Sequence, residues 1–277
     1  MTQHIQDRVI VVTGAASGFG RLVSEKAAAM GARLVLADIN PAELAVTRER
    51  VAMHGPVESL VTDVTKLEQM SALAQRAVER FGRIDVWVNN AGVMPLAFYA
   101  DHARATSAWD RCIDINIKGV LNGIIAAYDT MIAQGRGHIV NLSSIYGNFP
   151  VVGAAVYGAS KAAVNFLSES LRMESQGKIK VTIVKPTGVP GTGLAGGIIN
   201  SDAIVGILGH NAPRYLQMMQ AHGSGQLPAE YSDADNIEYY ALAPEHLADQ
   251  IIYAINQPWG VSIGEITVRA AGDAYIL

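Results

Sequence analysis

The chain has 277 residues, of which 50% are hydrophobic and 17% charged, so it can bury a core and is not charged enough to be disordered. Its 21 Lys and Arg residues and 25 Asp and Glu residues give a formal net charge of −4. This balance lacks the positive charge needed for a nucleic acid partner. A single cysteine, Cys112, excludes an internal disulfide and a cysteine-based zinc site, and we predict no metal site.

The sequence also bears on the cellular compartment. Residues 1–8 are polar and lack the apolar core and cleavage site of a signal peptide. No uninterrupted apolar segment reaches the roughly 20 residues of a spanning helix, because Asp129 interrupts one stretch and glycines and prolines interrupt another. We therefore expect a cytoplasmic protein with no membrane partner.

Short β-branched segments alternate with longer segments of helical period from residue 8 to residue 184, which is typical of a parallel sheet covered on both faces. The predicted strands are residues 9–12, 33–36, 57–61, 84–88, 138–142, 181–184 and 265–268. The predicted helices are residues 18–30, 41–53, 66–81, 107–133, 155–176, 214–221 and 244–256. The sequence therefore predicts an α/β doubly wound parallel sheet with helices on both faces.

No internal repeat, low-complexity tract or linker divides the sequence, so we predict that residues 1–277 form one domain. Residues 190–243 carry glycine-rich turns and an uncharged apolar stretch. We predict that this segment is a lid inserted over a substrate site.

A glycine-rich turn follows the first predicted strand. Gly14, Gly18 and Gly20 allow a tight turn that brings backbone N–H groups close to a pyrophosphate. Their spacing is a variant of the general dinucleotide-binding pattern, and glycines in such a turn can also be purely structural. With Ser17 and Phe19 they form the predicted phosphate-contacting segment.

Asp38 ends the second predicted strand. A carboxylate there can accept hydrogen bonds from the adenosine ribose and would repel a 2′-phosphate, which favours NAD over NADP. Supporting this, no Lys or Arg stands at Ser17, Ile39 or Asn40, so no cation there could neutralise such a phosphate. The alternative is that Asp38 only begins a turn or caps the helix at Pro41.

Small polar residues follow the third and fourth predicted strands as well. Ligands of open α/β sheets bind at the carboxyl ends of the strands, so we expect Asp63 and Val64 near an adenine, and Asn90, Ala91 and Gly92 along the nucleotide. These residue types are also ordinary turn formers, so turn chemistry alone is the alternative.

Tyr157 and Lys161 lie four residues apart in a predicted helix, so they share one helix face. A nearby cation lowers the pKa of a tyrosine from about 10 toward neutrality, where it can exchange a proton with an alcohol or a carbonyl. The alternative is a surface pair that occurs by chance. Neither Tyr146 nor Tyr99 has a lysine four residues later, so Tyr157 is the predicted acid/base.

These segments together resemble the short-chain dehydrogenase/reductase family. The resemblance implies a single-domain Rossmann-type fold, hydride transfer, and a serine 13 positions before the tyrosine, which selects Ser144 over Ser143. It covers most of the chain up to about residue 189. The residues that carry it are 13–20, Asp63, 89–92, Asn116, Ser144, Tyr157 and Lys161.

The resemblance also implies roles for these residues. Tyr157 is implied as the acid/base, Ser144 as the group that orients the substrate oxygen, and Lys161 as the group that binds the nicotinamide ribose and lowers the tyrosine pKa. Asn116 is implied in a proton relay, because a poor helix former in mid-helix could expose a carbonyl to water. The alternative for Asn116 is a solvent-facing side chain.

The sequence departs from the family pattern after the sixth strand. Thr187 replaces the usual glycine, which restricts the backbone there to ordinary dihedral angles. Val189 keeps the position whose backbone usually meets the nicotinamide carboxamide, and residues 186–189 are predicted to contact the cofactor. Thr192 lies one place later than the threonine that often assists, so the sequence does not decide whether it reaches the site.

The substrate end is less well defined by the sequence. Three histidines, His102, His210 and His222, lack a spaced partner and are predicted to be ordinary surface or core residues. We predict that a set of apolar residues forms a hydrophobic substrate pocket, and packing against helices or a partner subunit is an equal alternative. The set is Leu194, Ile198, Ile199, Met94, Phe149 and Val151.

The chain end bears on assembly. C-termini in this family commonly pack across dimer axes, and residues 268–277 end apolar, so the resemblance implies a homo-oligomer, either a dimer or a tetramer. Cys112 falls in a predicted helix that resembles one shared in family dimers, and we predict that it packs rather than reacts.

Together these features predict an NAD-dependent oxidoreductase that interconverts a secondary alcohol and a ketone on a largely apolar small molecule. A 3-oxoacyl thioester reductase is the alternative within the same chemistry, although Asp38 disfavours the NADPH that such steps prefer. A dinucleotide-sensing protein without turnover is the alternative from another class.

Overall fold

The β-branched segments form a seven-stranded parallel sheet in a computed structural model of the chain, which describes residues 3–276. The order across the sheet is β3-β2-β1-β4-β5-β6-β7, so the chain returns from β3 at one edge to place β4 beside β1, and the strand order reverses between β1 and β4. The predicted α/β doubly wound fold is confirmed. The strands are β1 (Val9–Thr13), β2 (Arg33–Asp38), β3 (Val57–Val61), β4 (Val86–Asn89), β5 (Gly137–Leu142), β6 (Ile179–Pro186) and β7 (Glu265–Val268).

Helices cover both faces of the sheet. Successive strand residues point to opposite faces, so Val12 joins a core under α1, α2 and α10, whereas Val11 joins a second core under α3, α5 and α6. The helices are α1 (Gly18–Ala29), α2 (Pro41–Ala52), α3 (Leu67–Phe81), α4 (His102–Ile113), α5 (Gly119–Ala133), α6 (Ala155–Glu174), α7 (Val205–Leu208), α8 (Ala212–Gly223), α9 (Ala229–Ser232) and α10 (Pro244–Ile255).

The predicted single helix over residues 107–133 is wrong. The helical segment begins five residues earlier, at His102, and a π-helical turn, Asp114–Lys118, separates α4 from α5. Asn116 in this turn is fully buried and hydrogen-bonds outside its own helix. Such turns insert one extra residue into a helix and often mark functional positions.

The segment 190–243 is more structured than predicted. Beside α8, which was predicted as residues 214–221, it contains α7, α9 and the 3-10 turns Leu194–Gly197, Ser201–Ile204 and Gly209–Asn211. Elements of three or four residues are too short to show a hydrophobic period. The segment packs over a third hydrophobic cluster that includes Tyr146 and Tyr157.

The C-terminal tail lies on this segment of the same chain. The backbone N–H of Ile276 donates to the carbonyl oxygen of Ile207 at 3.2 Å, and Asn211 Nδ2 donates to the carbonyl oxygen of Ala274 at 3.0 Å. The tail therefore contributes to the same side of the molecule as residues 190–243. Leu277, which the sequence placed in this apolar tail, lies outside the described residues, as do Met1 and Thr2.

Residues 3–276 include no helix with both the length and the apolar character needed to cross a membrane.

A buried polar network joins β4, β5 and α6. Asn89 accepts a hydrogen bond from Trp87 Nε1 at 2.8 Å and donates one to Asn141 Oδ1 at 2.8 Å, and Asn141 in turn donates to Ser168 Oγ at 2.8 Å. All four residues are buried. Each group is satisfied by the next, so loss of one member leaves buried partners unpaired.

We expect Asn89→Ala to lower the free energy of unfolding by about 3 kcal/mol, because it leaves the Trp87 N–H and the Asn141 oxygen without partners. Urea unfolding measures this change. Gln75→Ala, which removes an exposed hydrogen bond to Glu79, is the control and should change stability by less than about 0.5 kcal/mol. Equal stability of the two variants would contradict the network's role.

Candidate active site

The carboxyl ends of β1, β2, β4 and β5 border a long cavity, here called the edge cavity. Because parallel strands end on the same side, residues far apart in sequence meet there. Residues from all the predicted segments of the nucleotide end contribute to its walls. The predicted residues that line it are Gly14, Ser17, Gly18, Phe19, Asp38, Ile39, Asp63, Val64, Asn90, Ala91, Gly92, Tyr157, Lys161 and Pro186.

The glycine turn needs its glycines for two different reasons. Gly14 and Gly18 have φ angles of +65° and +49°, which residues other than glycine rarely adopt. Gly20 does not line the cavity, and its contact with a cofactor stays a prediction. A Cβ at Gly20 would overlap the carbonyl oxygen of Gly14, so this glycine lets α1 pack closely against the turn.

Asn90 ties the loop after β4 to the glycine turn. Its Nδ2 donates to the carbonyl oxygens of Thr13 and Gly14, both at 3.0 Å, and its backbone N–H donates to Thr13 Oγ1 at 3.1 Å. The two loops that border the cavity are therefore held together by one side chain.

Asp38 faces the glycine turn from the end of β2. Its Oδ2 accepts from the backbone N–H of Ala16 at 3.0 Å, and its Oδ1 accepts from that of Asn40 at 2.9 Å. The alternative that Asp38 caps α2 is wrong, since the Asn40 side chain caps that helix. Asp63 fits both the cofactor-site prediction and the turn alternative. It lines the cavity, and its Oδ1 accepts from Thr65 N and Oγ1 at 3.0 and 2.8 Å.

Ser144, Tyr157 and Lys161 are all buried, and the last two line the edge cavity, so the alternative of a surface Tyr–Lys pair is wrong. Lys161 Nζ donates to the carbonyl oxygen of Leu142 at 2.8 Å and lies 5.7 Å from the centre of the Tyr157 ring. The Tyr157 ring packs edge-on against Tyr146, with 5.4 Å between ring centres. The hydroxyl and the ammonium group therefore share one dry environment.

Burial dominates the titration of this pair. It raises the pKa of Tyr157 above its usual value, and a hydrogen bond with Ser144 opposes that shift only in part. Burial also lowers the pKa of Lys161 to about 8. In the protein alone the pKa of Tyr157 therefore lies above rather than below its usual value, and the lowering expected from Lys161 stays a prediction.

Asn116 holds the loop after β4 in place. Its Nδ2 donates to the carbonyl oxygen of Val93 at 2.9 Å and to Ser160 Oγ at 3.0 Å, while its Oδ1 accepts from the Val93 N–H at 2.9 Å. The solvent-facing alternative is wrong, since the residue is fully buried. Asn116 lines neither cavity, and its proton-relay role stays a prediction.

A second cavity, here called the lid cavity, lies between the catalytic candidates and residues 190–243. Ser144 and residues 187–189 line this cavity rather than the edge cavity, whereas Tyr157, Pro186 and Thr192 line both. Thr192 therefore does reach the site. The buried Thr187 hydroxyl has no hydrogen-bond partner among residues 3–276.

The predicted hydrophobic pocket is half correct. Met94, Leu194 and Ile198 line the lid cavity, but Phe149, Val151 and Ile199 do not. Phe149 is 60% exposed, and Val151 packs within the third hydrophobic cluster. The histidines at 102, 210 and 222 line neither cavity, as the absence of spaced partners indicated.

Several lining residues were not predicted. Arg111 of α4 and Ile115 of the π-helical turn also line the edge cavity, and their four-residue spacing was the available signal. Thr62, Val93, Leu142 and Ser143 continue the strand ends that were predicted. The others line the lid cavity, and all except Tyr146 come from residues 190–243 and the tail: Tyr146, Pro190, Gly191, Ala195, Ile204, Tyr215, Met219, Tyr240, Ala241, Asp273, Ala274 and Tyr275.

Comparisons with known proteins agree with this arrangement. The family model described as short chain dehydrogenase matches residues 8–202. An uncharacterized oxidoreductase from Staphylococcus saprophyticus is 35% identical over 274 residues, which cover 98% of this chain and 99% of that protein.

Solved structures give the same result. A short chain dehydrogenase/reductase from Burkholderia phymatum, in complex with NAD, is 28% identical with a TM-score of 0.74, over 96% of this chain and 90% of that one. An alcohol dehydrogenase from Thermococcus sibiricus, complexed with 5-hydroxy-NADP, has a TM-score of 0.77 over 96% and 98% of the two chains. At 20% identity, the latter shows the fold alone.

The strand order, the buried Ser-Tyr-Lys set and these matches lead to one conclusion: the chain belongs to the short-chain dehydrogenase family of oxidoreductases.

Proposed function

We propose that the protein is an NAD-dependent oxidoreductase that interconverts a secondary alcohol and a ketone on a largely apolar small molecule. The observation that carries this proposal is the burial of Ser144, Tyr157 and Lys161 where the edge cavity meets the lid cavity. A proton donor, a hydrogen-bonding hydroxyl and a cation in one dry site suit proton exchange with an alcohol oxygen. Residues 190–243 are proposed as the lid over the substrate.

The edge cavity fits a nicotinamide dinucleotide. A Cβ at Gly92 would lie 3.3 Å from Asn116 Oδ1 and 3.6 Å from Lys161 Nζ, so glycine leaves room beside these groups. The unpartnered Thr187 hydroxyl offers a hydrogen bond at the loop end. Bound NAD would supply the hydride acceptor. We propose that the edge-cavity residues named above and residues 187–189 hold it, with Lys161 binding its nicotinamide ribose.

The protein's own groups would handle the proton. Ser144 orients the substrate oxygen, and Tyr157 takes the proton from the alcohol during oxidation and returns it during ketone reduction. Because burial raises the pKa of Tyr157, the hydroxyl is protonated at neutral pH and ready to act as the acid. The Lys161 charge stabilises the phenolate that this proton transfer leaves, and the same phenolate is the base that takes the alcohol proton during oxidation.

We expect Tyr157→Phe to lower kcat for alcohol oxidation about 100- to 10,000-fold, because the variant lacks the acid/base hydroxyl. Nicotinamide absorbance measures turnover, and NADH fluorescence should show cofactor affinity within about threefold of wild type, since only one hydroxyl is lost.

Tyr146→Phe is the matched control, because Tyr146 packs against Tyr157 but has no lysine one helical turn later. It should retain most of the activity. Full activity in Tyr157→Phe would overturn the proposed chemistry, and NADH binding without turnover in the wild type would favour the sensing alternative.

Cofactor choice should depend on the charge of Asp38. Asp38→Asn keeps the shape of the side chain but removes the repulsion of a 2′-phosphate. We expect the ratio of kcat/KM with NADP to kcat/KM with NAD to rise by about tenfold, equivalent to about 1.4 kcal/mol. Asp63→Asn, at the next strand end, should leave the ratio unchanged. A wild type that prefers NADP would contradict the assignment of NAD.

We also propose that the protein is a homo-oligomer, a dimer or a tetramer. Large apolar side chains are exposed on α4, α5 and α6, which is unusual for a monomer when they are contiguous. Phe166 and Met173 of α6 are 77% and 71% exposed. The other members of this set are Ile113, Leu121 and Ile125.

Phe166→Glu should shift the assembly toward smaller species, because it places a charge within the proposed contact. Light scattering after size-exclusion chromatography reports the mass. Met53→Glu, at an equally exposed site beyond the end of α2, should not change it. A monomeric wild type would refute the proposal.

A further inference from the structure

The residues that line the lid cavity are almost all uncharged. Among the described residues that line it, Asp273 is the charged one. Its carboxylate is buried and pairs with Arg269 at 2.6 Å, and it also accepts from the Tyr275 N–H at 3.2 Å. The wall therefore offers no charge to balance an ionic substrate, and burying an unbalanced charge is costly.

Tyrosines from separate parts of the chain meet in this cavity. Tyr215 lies on α8, Tyr240 follows α9, and Tyr275 lies in the C-terminal tail. The Tyr215 ring is 6.2 Å from that of Tyr240 and 5.9 Å from that of Tyr275. A Cβ on Gly188 would overlap the Tyr275 hydroxyl, so the tail lies against the loop proposed to hold the nicotinamide.

Flat aromatic walls favour a flat or cyclic ligand. The cavity has a volume of about 240 Å³, which is below the usual range for drug-sized ligands. Met94, Leu194 and Ile198 supply the remaining apolar contacts.

The hydroxyls of these tyrosines have unused hydrogen-bonding capacity. The Tyr240 residue is 4% exposed, and its hydroxyl has no hydrogen-bond partner among residues 3–276. The Tyr275 hydroxyl contacts that of Tyr215 at 3.5 Å, which is long for a hydrogen bond between hydroxyls. A buried hydroxyl without a hydrogen-bond partner lowers the stability of the fold, so such groups commonly bind a ligand or a water molecule.

The hydroxyls of Tyr240 and Tyr275 stay protonated at neutral pH. Burial raises the pKa of Tyr240 and of Tyr275, and the neighbouring tyrosines and Asp273 add to the shift, while Arg214 opposes it at Tyr240. A neutral phenol can donate its proton to an oxygen atom of a bound molecule.

We infer that the substrate of the proposed oxidoreductase is a small neutral cyclic alcohol or ketone with a second oxygen remote from the reacting carbon, to which Tyr240 donates a hydrogen bond. This inference rests on the proposed function, because the reacting carbon is placed by Ser144 and Tyr157. In the reductive direction, the carbonyl carbon would receive a hydride, which bound NADH would supply, and the carbonyl oxygen would receive the proton of Tyr157. The second oxygen stays unchanged.

The test compares 3- and 4-hydroxycyclohexanone with the corresponding methylcyclohexanones as substrates for NADH-dependent reduction. The wild type should favour at least one hydroxy ketone over its methyl counterpart by about tenfold in kcat/KM, mainly through KM. Tyr240→Phe should abolish this preference and leave kcat/KM for the methyl ketones within about twofold.

Two controls separate recognition from structure. Tyr231→Phe alters another tyrosine of the same hydrophobic cluster that does not line the cavity, and it should keep the preference. Tyr240→Phe should unfold at a temperature no lower than the wild type, because it removes a buried hydroxyl without a partner.

Three outcomes would overturn the inference: a wild type that treats both ketone series alike, a Tyr240→Phe variant that keeps the preference, or one that loses activity equally with both series. Calorimetric titration of the ketones onto the NADH-bound enzyme gives a readout that needs no turnover. If turnover is absent but Tyr240→Phe weakens hydroxy ketone binding about tenfold, the proposed function fails and the recognition by Tyr240 stands.

Discussion

The buried charge of Lys161 is the constraint on which the site depends. Its ammonium group lies beside the Tyr157 ring and donates to the carbonyl oxygen at the end of β5. Burial lowers its pKa from 10.5 to about 8. The unfolded chain therefore binds more protons between these values, and the stability of the native state falls as pH falls through this window. Below about pH 8 the buried ammonium group lowers the free energy of unfolding by its full amount, and it places a cation beside Tyr157.

The rest of the architecture buries that cation at the edge of a cavity that a ligand can enter. The parallel sheet brings the ends of β1, β4 and β5 to one edge. Asn90 joins the glycine turn to the loop after β4, and Asn116 fixes Val93 one step further along that loop. Residues 190–243 and the tail line the other side with aromatic and apolar walls, and Asp273, their one charged lining residue among residues 3–276, is paired with Arg269. We propose that proton exchange and substrate choice belong to these different parts of the chain.

Sequence reasoning recovered what depends on local pattern. The strands, the glycine turn and the Tyr157–Lys161 pair follow from side-chain period and spacing, and they are placed as expected. The π-helical turn was missed because its cause, the contact of Asn116 with Val93, joins segments 23 residues apart. The packing of Tyr275 on Gly188 has no local signal at all. The direction of the Tyr157 pKa depends on burial, which spacing cannot give.

The pH dependence of alcohol oxidation in the wild type and in Lys161→Met tests the central claim most directly. The variant removes a buried charge and is expected to fold, as far-UV circular dichroism would check. If the Lys161 charge favours the phenolate, kcat/KM for oxidation in the wild type should rise with an apparent pKa below that of Lys161→Met, whose profile moves to higher pH. Superimposable pH profiles for the two proteins would contradict this account of the site.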